Sequence, residues 1–341
     1  MSKFNLVTPV DPTAPLSIVT PVAAFRLSDH DKQYLEQIAQ DFPCPDNIEY
    51  QHLLPFIIMM QTKLPSTLKL FLVSLAMEPT AEAFGIIQNG PRSGSNFASE
   101  YFMLAIALTM GGRAIAQKNE AGEQIIQRIT PQKNAAQSQT SSSYATMLGY
   151  HGDDFASGLY RNAWTMPFVS SRPAQSPSTY MADMRSVCES LRQAGRSDII
   201  EMARRNRIIP LYPESQRGND MSDDLSNAQG SACNIISGPE GQEYIAAEYL
   251  GDTIMFPDDN VDDRNMVQLV LEVIREHIER VAVSVELAAG DLGLFSNQRG
   301  FHARGKFPPG YDPDKATPRE LIRIHVVMDP WHSRNLNGHL V

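Results

Sequence analysis

The sequence predicts an α+β fold with a double-stranded β-helix, or jelly-roll, core. Three observations carry that prediction: helical periodicity through the first third, two-residue alternation concentrated in the C-terminal half, and turn residues joining the alternating segments. Ser28 is placed to cap a helix from Asp29 to Gln40, in which Tyr34, Leu35 and Ile38 are spaced to face a core. A second helix covers Ser66 to Met77. A third, Glu100 to Ala116, is apolar enough to be a buried one. Residues 1–116 thus read as a mostly helical N-terminal portion, and residues 117–329 as the jelly-roll core with insertions.

From Glu123 to Thr130, Ile125, Ile126 and Ile129 alternate imperfectly with Gln124, Gln127 and Arg128, giving a short strand between Gly122 and Pro131. Gln132 to Ser143 is polar and aperiodic, a loop. Thr179 to Gln193 reads as a helix that ends before Gly195. Pro213 to Ala232 holds almost no apolar residues and cannot pack as a core element; it is a candidate lid or a plain mobile loop. Asp262 to Arg280 is a helix with an acidic start and Val267, Val270, Leu271, Ile274 and Ile278 on one face. Strand alternation then takes over from Val281 to Leu287. Ala289-Gly290-Asp291 supplies a turn, Leu292 to Ser296 a returning strand, and Asn297 to Gly300 another turn. After the loop around Pro308 to Pro318, alternation resumes over Glu320 to Met328.

The 341 residues carry 29 Lys and Arg against 39 Asp and Glu, a net charge of −10. Such a surface, with no basic cluster, repels phosphate backbones and argues against a nucleic-acid partner. Cys44, Cys188 and Cys233 are odd in number and far apart, forming no CxxC pair, which favours a reducing compartment. Met1 to Pro15 lacks a secretory pattern, and the longest apolar runs, Leu53 to Met60 and Leu68 to Met77, fall short of the roughly 20 residues that span a bilayer. The expectation is a cytoplasmic protein with a small-molecule partner and no membrane partner; the sequence does not set its oligomeric state.

Eight histidines are available, and two begin a His-x-acid triplet: His151-Gly152-Asp153 and His277-Ile278-Glu279. One such triplet is expected by chance from this composition, so geometry has to separate them. His277 and Glu279 fall inside a helix, where positions two apart project from nearly opposite faces, and the triplet reads as surface decoration. His151 and Asp153 lie on a stretch with extended character, where positions two apart point the same way and can chelate one ion. His302, beyond the strand and turn at 292–300, is the best third ligand, with His325 as its rival; His30, His52, His332 and His339 read as surface or terminal residues. Two His and one carboxylate form the face that leaves open positions on a non-haem Fe(II). Arg319 and Arg323 share one face of the final strand, separated by roughly 13 Å at strand rise. Each either pairs with an acid such as Asp312 or Asp314 or grips a ligand carboxylate through a two-point fork.

In this combination the chain resembles the Fe(II)/2-oxoglutarate-dependent oxygenases of the clavaminate synthase-like group, relatives of the taurine dioxygenases. The resemblance covers about Gln117 to Asp329 and is carried by His151-Gly-Asp153, by Gly290-Asp291-Leu292 through Asn297-Gln-Arg-Gly-Phe-His302-Ala-Arg304-Gly-Lys-Phe307, by Arg319-Glu-Leu-Ile-Arg323, and more weakly by Asn119-Glu120-Ala-Gly-Glu. Many group members have Glu where this chain has Asp153, a departure toward the taurine-dioxygenase pattern.

The resemblance implies a single catalytic domain over 1–341, with Fe(II) held by His151, Asp153 and His302. It implies 2-oxoglutarate anchored by Arg319, dioxygen as second cosubstrate, and a substrate carboxylate on Arg323. By the same resemblance Glu120 receives an α-amine and Asp252, in Tyr249-Leu-Gly-Asp252-Thr, reads a basic side chain, or else sits in an acidic run that favours a helix N-terminus. The implied activity is hydroxylation of an unactivated C–H bond of a free L-amino acid of lysine or arginine type, with release of succinate and CO2. The alternatives are a non-catalytic β-barrel binding protein and a zinc-dependent hydrolase using the same ligands.

Overall fold

The computed structural model describes residues 18–46, 48–78, 81–92, 96–116, 124–137, 141–153, 163–173, 176–210, 232–245, 254–255, 261–314 and 319–328. The chain begins with β1 (Ala23–Arg26), α1 (Asp29–Ile38), α2 (Tyr50–Lys63), α3 (Ser66–Met77), β2 (Phe84–Gln88) and α4 (Ala98–Thr109). It continues through β3 (Arg113–Ile115), β4 (Gln127–Ile129), β5 (Leu148–His151), β6 (Trp164–Ser171), β7 (Thr179–Asp183), α5 (Met184–Gln193) and α6 (Ser197–Arg205). Four short strands follow: β8 (Arg207–Pro210), β9 (Cys233–Asn234), β10 (Ile236–Ser237) and β11 (Tyr244–Ile245), then β12 (Ile254–Met255). The last part comprises α7 (Val261–Val281), β13 (Val283–Val285), β14 (Leu292–Ser296), β15 (Gly300–Arg304) and β16 (Glu320–Val327).

Two sheets organise this mixed α/β fold. The larger has the order β1-β2-β14-β6-β16-β3, with β4 also pairing with β16, and only β1 and β2 run parallel. The smaller, β13-β7-β15-β5, is antiparallel throughout. Side-chain alternation in β16 shows how the layers stack. Ile322, Ile324 and Val326 pack with Trp164, Met166 and Phe168 of β6 against the helical layer that contains α4. Leu321 faces the other way, into a core shared by Ile129, Val169 and Phe295 of the larger sheet and Met181 of the smaller. On its far side the smaller sheet turns Ala182 and Phe301 onto α5, α6 and α7. The order is therefore helices, sheet, sheet, helices.

Local chemistry explains the main elements and the departures from expectation. Ser28 caps α1, its hydroxyl accepting from the Asp31 N–H at 3.1 Å. Of the three residues expected to face the core from α1, Leu35 is fully buried, Ile38 half-buried, and Tyr34 exposed at 41%. The helix α3 has its expected bounds. The expected helix 100–116 ends instead at Thr109: Gly111 adopts φ +83°, the left-handed conformation that closes helices, and β3 begins at Arg113. The expected helix 179–193 is a strand followed by a helix. Thr179–Asp183 joins the smaller sheet, and Asp183 caps α5 by accepting from the Arg185 N–H at 3.0 Å.

The expected strands at 123–130 and 281–287 are shorter, being β4 and β13, with Val281 the last residue of α7. The expected loop 132–143 contains a 3-10 turn at Lys133–Ala135. The helices α2 and α6 and the strand β6 were not foreseen. The lid expected at 213–232 lies outside the described residues except for Ala232.

On α7, Val267, Val270, Ile274 and Ile278 are buried as expected, each contributing about 1.5–3 kcal/mol of transfer free energy as an upper bound. Ile274→Ala would break that face at a cost of about 2–5 kcal/mol. Among the described residues no single helix is long and apolar enough to cross a membrane.

Candidate metal centre

His151 ends β5 and His302 lies in the middle of β15, rather than just past a strand and turn. The antiparallel register sets them directly opposite each other, with ring centroids 4.3 Å apart. Asp153 follows two residues after His151, beyond Gly152, so its carboxylate returns to the same side. His151 Nε2 stands 3.7 Å from Asp153 Oδ1, and His302 Nε2 stands 3.7 Å from Asp153 Oδ2. One donor atom from each of the three lies within 4.8 Å of the others. Two donors bound at about 2.1 Å to one ion stand about 3.0–3.6 Å apart, so this spacing suits a shared cation better than direct hydrogen bonds.

The protonation states agree with that use. His151 Nδ1 is 2.7 Å from the Gly149 carbonyl, which can only accept; Nδ1 therefore carries a proton and donates, and Nε2 is the nitrogen turned to the cluster. Burial, then His151, pull the His302 imidazole down to about 3, leaving it neutral. Burial alone would raise the Asp153 carboxyl, but His302, His325, Arg323 and His151 outweigh it and hold the group well below the usual carboxylate range. One carboxylate beside two imidazoles is the donor set of a divalent cation, and three ligands on one face leave other positions open.

His151 and His302 line a cleft between the sheets of about 540 Å³, counting its open mouth. Arg319, Arg323 and Arg304 also line it. Arg323 is aimed by Gln127 Oε1, which accepts from Nε at 2.8 Å, and by Ser141 Oγ, 3.1 Å from Nη1. Arg304 donates to the Gly305 carbonyl at 2.7 Å and to Ser143 Oγ at 2.6 Å. Arg319 is only 8% exposed, and among the described residues it pairs with no carboxylate. Asp312 and Asp314 pair with Lys133 instead. Burial, with Arg304 and Arg172 nearby, pulls the Arg319 guanidinium down to about 9, so the cleft lacks negative charge at this point.

Other expected residues fall elsewhere. Glu120 and Asp252 lie outside the described residues. His325 is buried on β16 and contacts Thr165 Oγ1 at 3.2 Å; it contributes no atom to the three-residue cluster. His277 is not surface decoration: it is 3% exposed and its Nδ1 is 2.7 Å from Ser190 Oγ. Sequence reasoning missed Thr165 and Gln127 as site residues, and it quoted Asn297 and Arg304 within the His302 motif without giving either a role; Arg304, two residues after His302, lies on the same strand face.

No protein-family model matches the chain. It is similar to an L-asparagine oxygenase of Streptomyces coelicolor, 27% identical over 267 residues, which cover 76% of this chain and 70% of the relative. Among solved structures, the non-heme iron oxygenase OrfP in complex with Fe and alpha-ketoglutaric acid matches with a TM-score of 0.72 at 15% identity, covering 93% of this chain and 99% of that one. An asparagine oxygenase in complex with Fe(II), 2S,3S-3-hydroxyasparagine and succinate matches with a TM-score of 0.72 at 17% identity, covering 92% and 97%. The chain shares the fold of these oxygenases.

Proposed function

We propose that the protein is an Fe(II)- and 2-oxoglutarate-dependent oxygenase, nearest to the clavaminate synthase-like amino-acid hydroxylases, that hydroxylates an unactivated C–H bond of a free L-amino acid with release of succinate and CO2. The observation that carries this reading is the convergence of His151, Asp153 and His302, with both histidines lining an arginine-lined cleft between two sheets. When bound, iron with 2-oxoglutarate and dioxygen supplies the oxidising chemistry. The chain's own task is to hold and aim. His151 and His302 offer ring nitrogens and Asp153 the compensating charge. Arg319, buried without a carboxylate partner among the described residues, takes the far carboxylate of 2-oxoglutarate.

Arg323 takes the substrate carboxylate. Gln127 supports that role: its Oε1 is spent on Arg323, and its Nε2 is buried with no hydrogen-bond partner among the described residues, a donor that a bound carboxylate would satisfy. Glu120 and Asp252 would receive the α-amine and a basic side chain, making arginine or lysine the first substrates to try, with asparagine from the relatives as the third. The two face-packed, largely antiparallel sheets accord with a jelly-roll core in a single catalytic domain over 1–341. Three free cysteines accord with a reducing cytoplasm.

The test is succinate formation by the purified protein with Fe(II), 2-oxoglutarate and dioxygen, with and without L-arginine, L-lysine or L-asparagine. Stimulation by one of them is the expected result. Succinate without stimulation by any amino acid overturns the substrate class, and no succinate at all overturns the reaction.

A further inference from the structure

Behind Asp153 stands a hydrogen-bonded chain that the reaction outlined above does not use. It starts at Asn297, whose Oδ1 accepts from the Asp153 backbone N–H at 3.2 Å. That bond fixes the orientation of the Asn297 amide, so the atom facing Thr165 Oγ1 at 2.9 Å is Nδ2, which can only donate. Thr165 Oγ1 also makes a short hydrogen bond to Asp153 Oδ2. A carboxylate can only accept, and a hydroxyl has one proton, so Thr165 gives that proton to Asp153. The third neighbour, His325 Nδ1 at 3.2 Å, then meets only a lone pair and must carry the proton itself. Two donors fill both lone pairs of the hydroxyl and its proton is spent, so the direction of every bond is determined.

The geometry also crosses the molecule. Thr165 and His325 sit on β6 and β16 of the larger sheet, whereas His151 and His302 belong to the smaller one. Asp153 Oδ2 is thereby tied to the opposite sheet, and Oδ1 is left for an ion.

On the reading that His151, Asp153 and His302 hold Fe(II), we propose that Thr165, oriented by Asn297 and His325, is a positioning residue that presents Asp153 to the metal through a single oxygen. Metal affinity then depends on a hydroxyl that touches no metal. Outer partners of this kind change affinity by about 10–100-fold when removed.

The experiment titrates Mn(II), a redox-stable stand-in for Fe(II), into the metal-free full-length protein by calorimetry. Thr165→Val is expected to weaken binding about 10–100-fold, and Thr165→Ser, which restores the hydroxyl, to return it to within about threefold of the parent. Val at the parent affinity, or Ser as weak as Val, overturns the proposal. If Thr165→Val does not fold, His325→Phe carries the test, because it removes the donor that pins the hydroxyl. A loss of about 3–10-fold supports the proposal and parent affinity overturns it. Failure of the parent protein itself to bind Mn(II) would instead remove the metal assignment, a result distinct from failure of the Thr165 role alone.

Discussion

His151-Gly-Asp153 and His277-Ile-Glu279 are the same pattern in two backbones. At 151–153 the chain leaves a strand, and imidazole and carboxylate come to one side, 3.7 Å apart. At 277–279 the chain is helical, and two steps of about 100° send the side chains to opposite faces. His277 points inward to Ser190, while Glu279 points outward, 60% exposed, beside Arg275. Burial alone does not mark a ligand. The imidazoles of His302 and His277 are both pushed down by it, to about 3 and about 4. What marks the first site is an ionised acid within reach of two imidazoles.

Four measurements would break or sharpen that contrast. The largest effect is expected from Asp153→Ala, which should lower amino-acid-dependent succinate formation by more than about 100-fold, beyond what loss of an outer partner causes; a variant retaining a tenth of the activity would remove the distinction between the triplets.

Next comes the acid response of His277. Its folded value lies below the unfolded one, so between about pH 6.5 and pH 4 the unfolded chain gains a proton that the folded chain refuses, and stability falls as pH falls, by about 3 kcal/mol in all. Urea unfolding across that range should show a smaller decline in His277→Gln than in the parent. An unchanged decline would mean that His277 is not held neutral.

Arg319→Met should raise the KM for 2-oxoglutarate about 10–100-fold, the equivalent of one charge-assisted contact, with a smaller effect on the KM for the amino acid. Equal effects on both would mean the arginine does not discriminate between them. Smallest of all, Glu279→Ala should change unfolding free energy by less than about 0.5 kcal/mol and leave turnover intact, since its partner is one exposed arginine.

The sequence made legible those parts whose signals are local. Ser28 and its helix, the bounds of α3, the buried face of α7 and the alternation of β14 and β16 all follow from spacing. Where the chain is buried on several sides the spacing disappears. Thr179–Asp183 carries no alternation, and the one clue to its end was Asp183 as a cap. The strand β6 was hidden by Pro167, which usually argues against a central strand. Its pairing with β14 joins Leu292 to Phe168 and Phe295 to Thr165, passing over the proline.

At the site, the three converging residues were legible because each belongs to a short motif. Thr165 and Gln127 were not, because their roles arise from register. Thr165 meets His325 across β6 and β16, and Gln127 lies opposite Arg323 across β4 and β16. No spacing within one segment encodes such a partner.

The strand β16 divides its labour by parity. Its even positions, Ile322, Ile324 and Val326, are embedded in hydrocarbon, whereas Arg319 just before it and Leu321 and Arg323 within it line the cleft. On the proposed function, selectivity and durability are thus written on opposite sides of one ribbon. On the same reading, varying Arg323 alone would let a breeder of enzymes explore new substrates while Arg319, His325 and the hydrocarbon underneath keep their places.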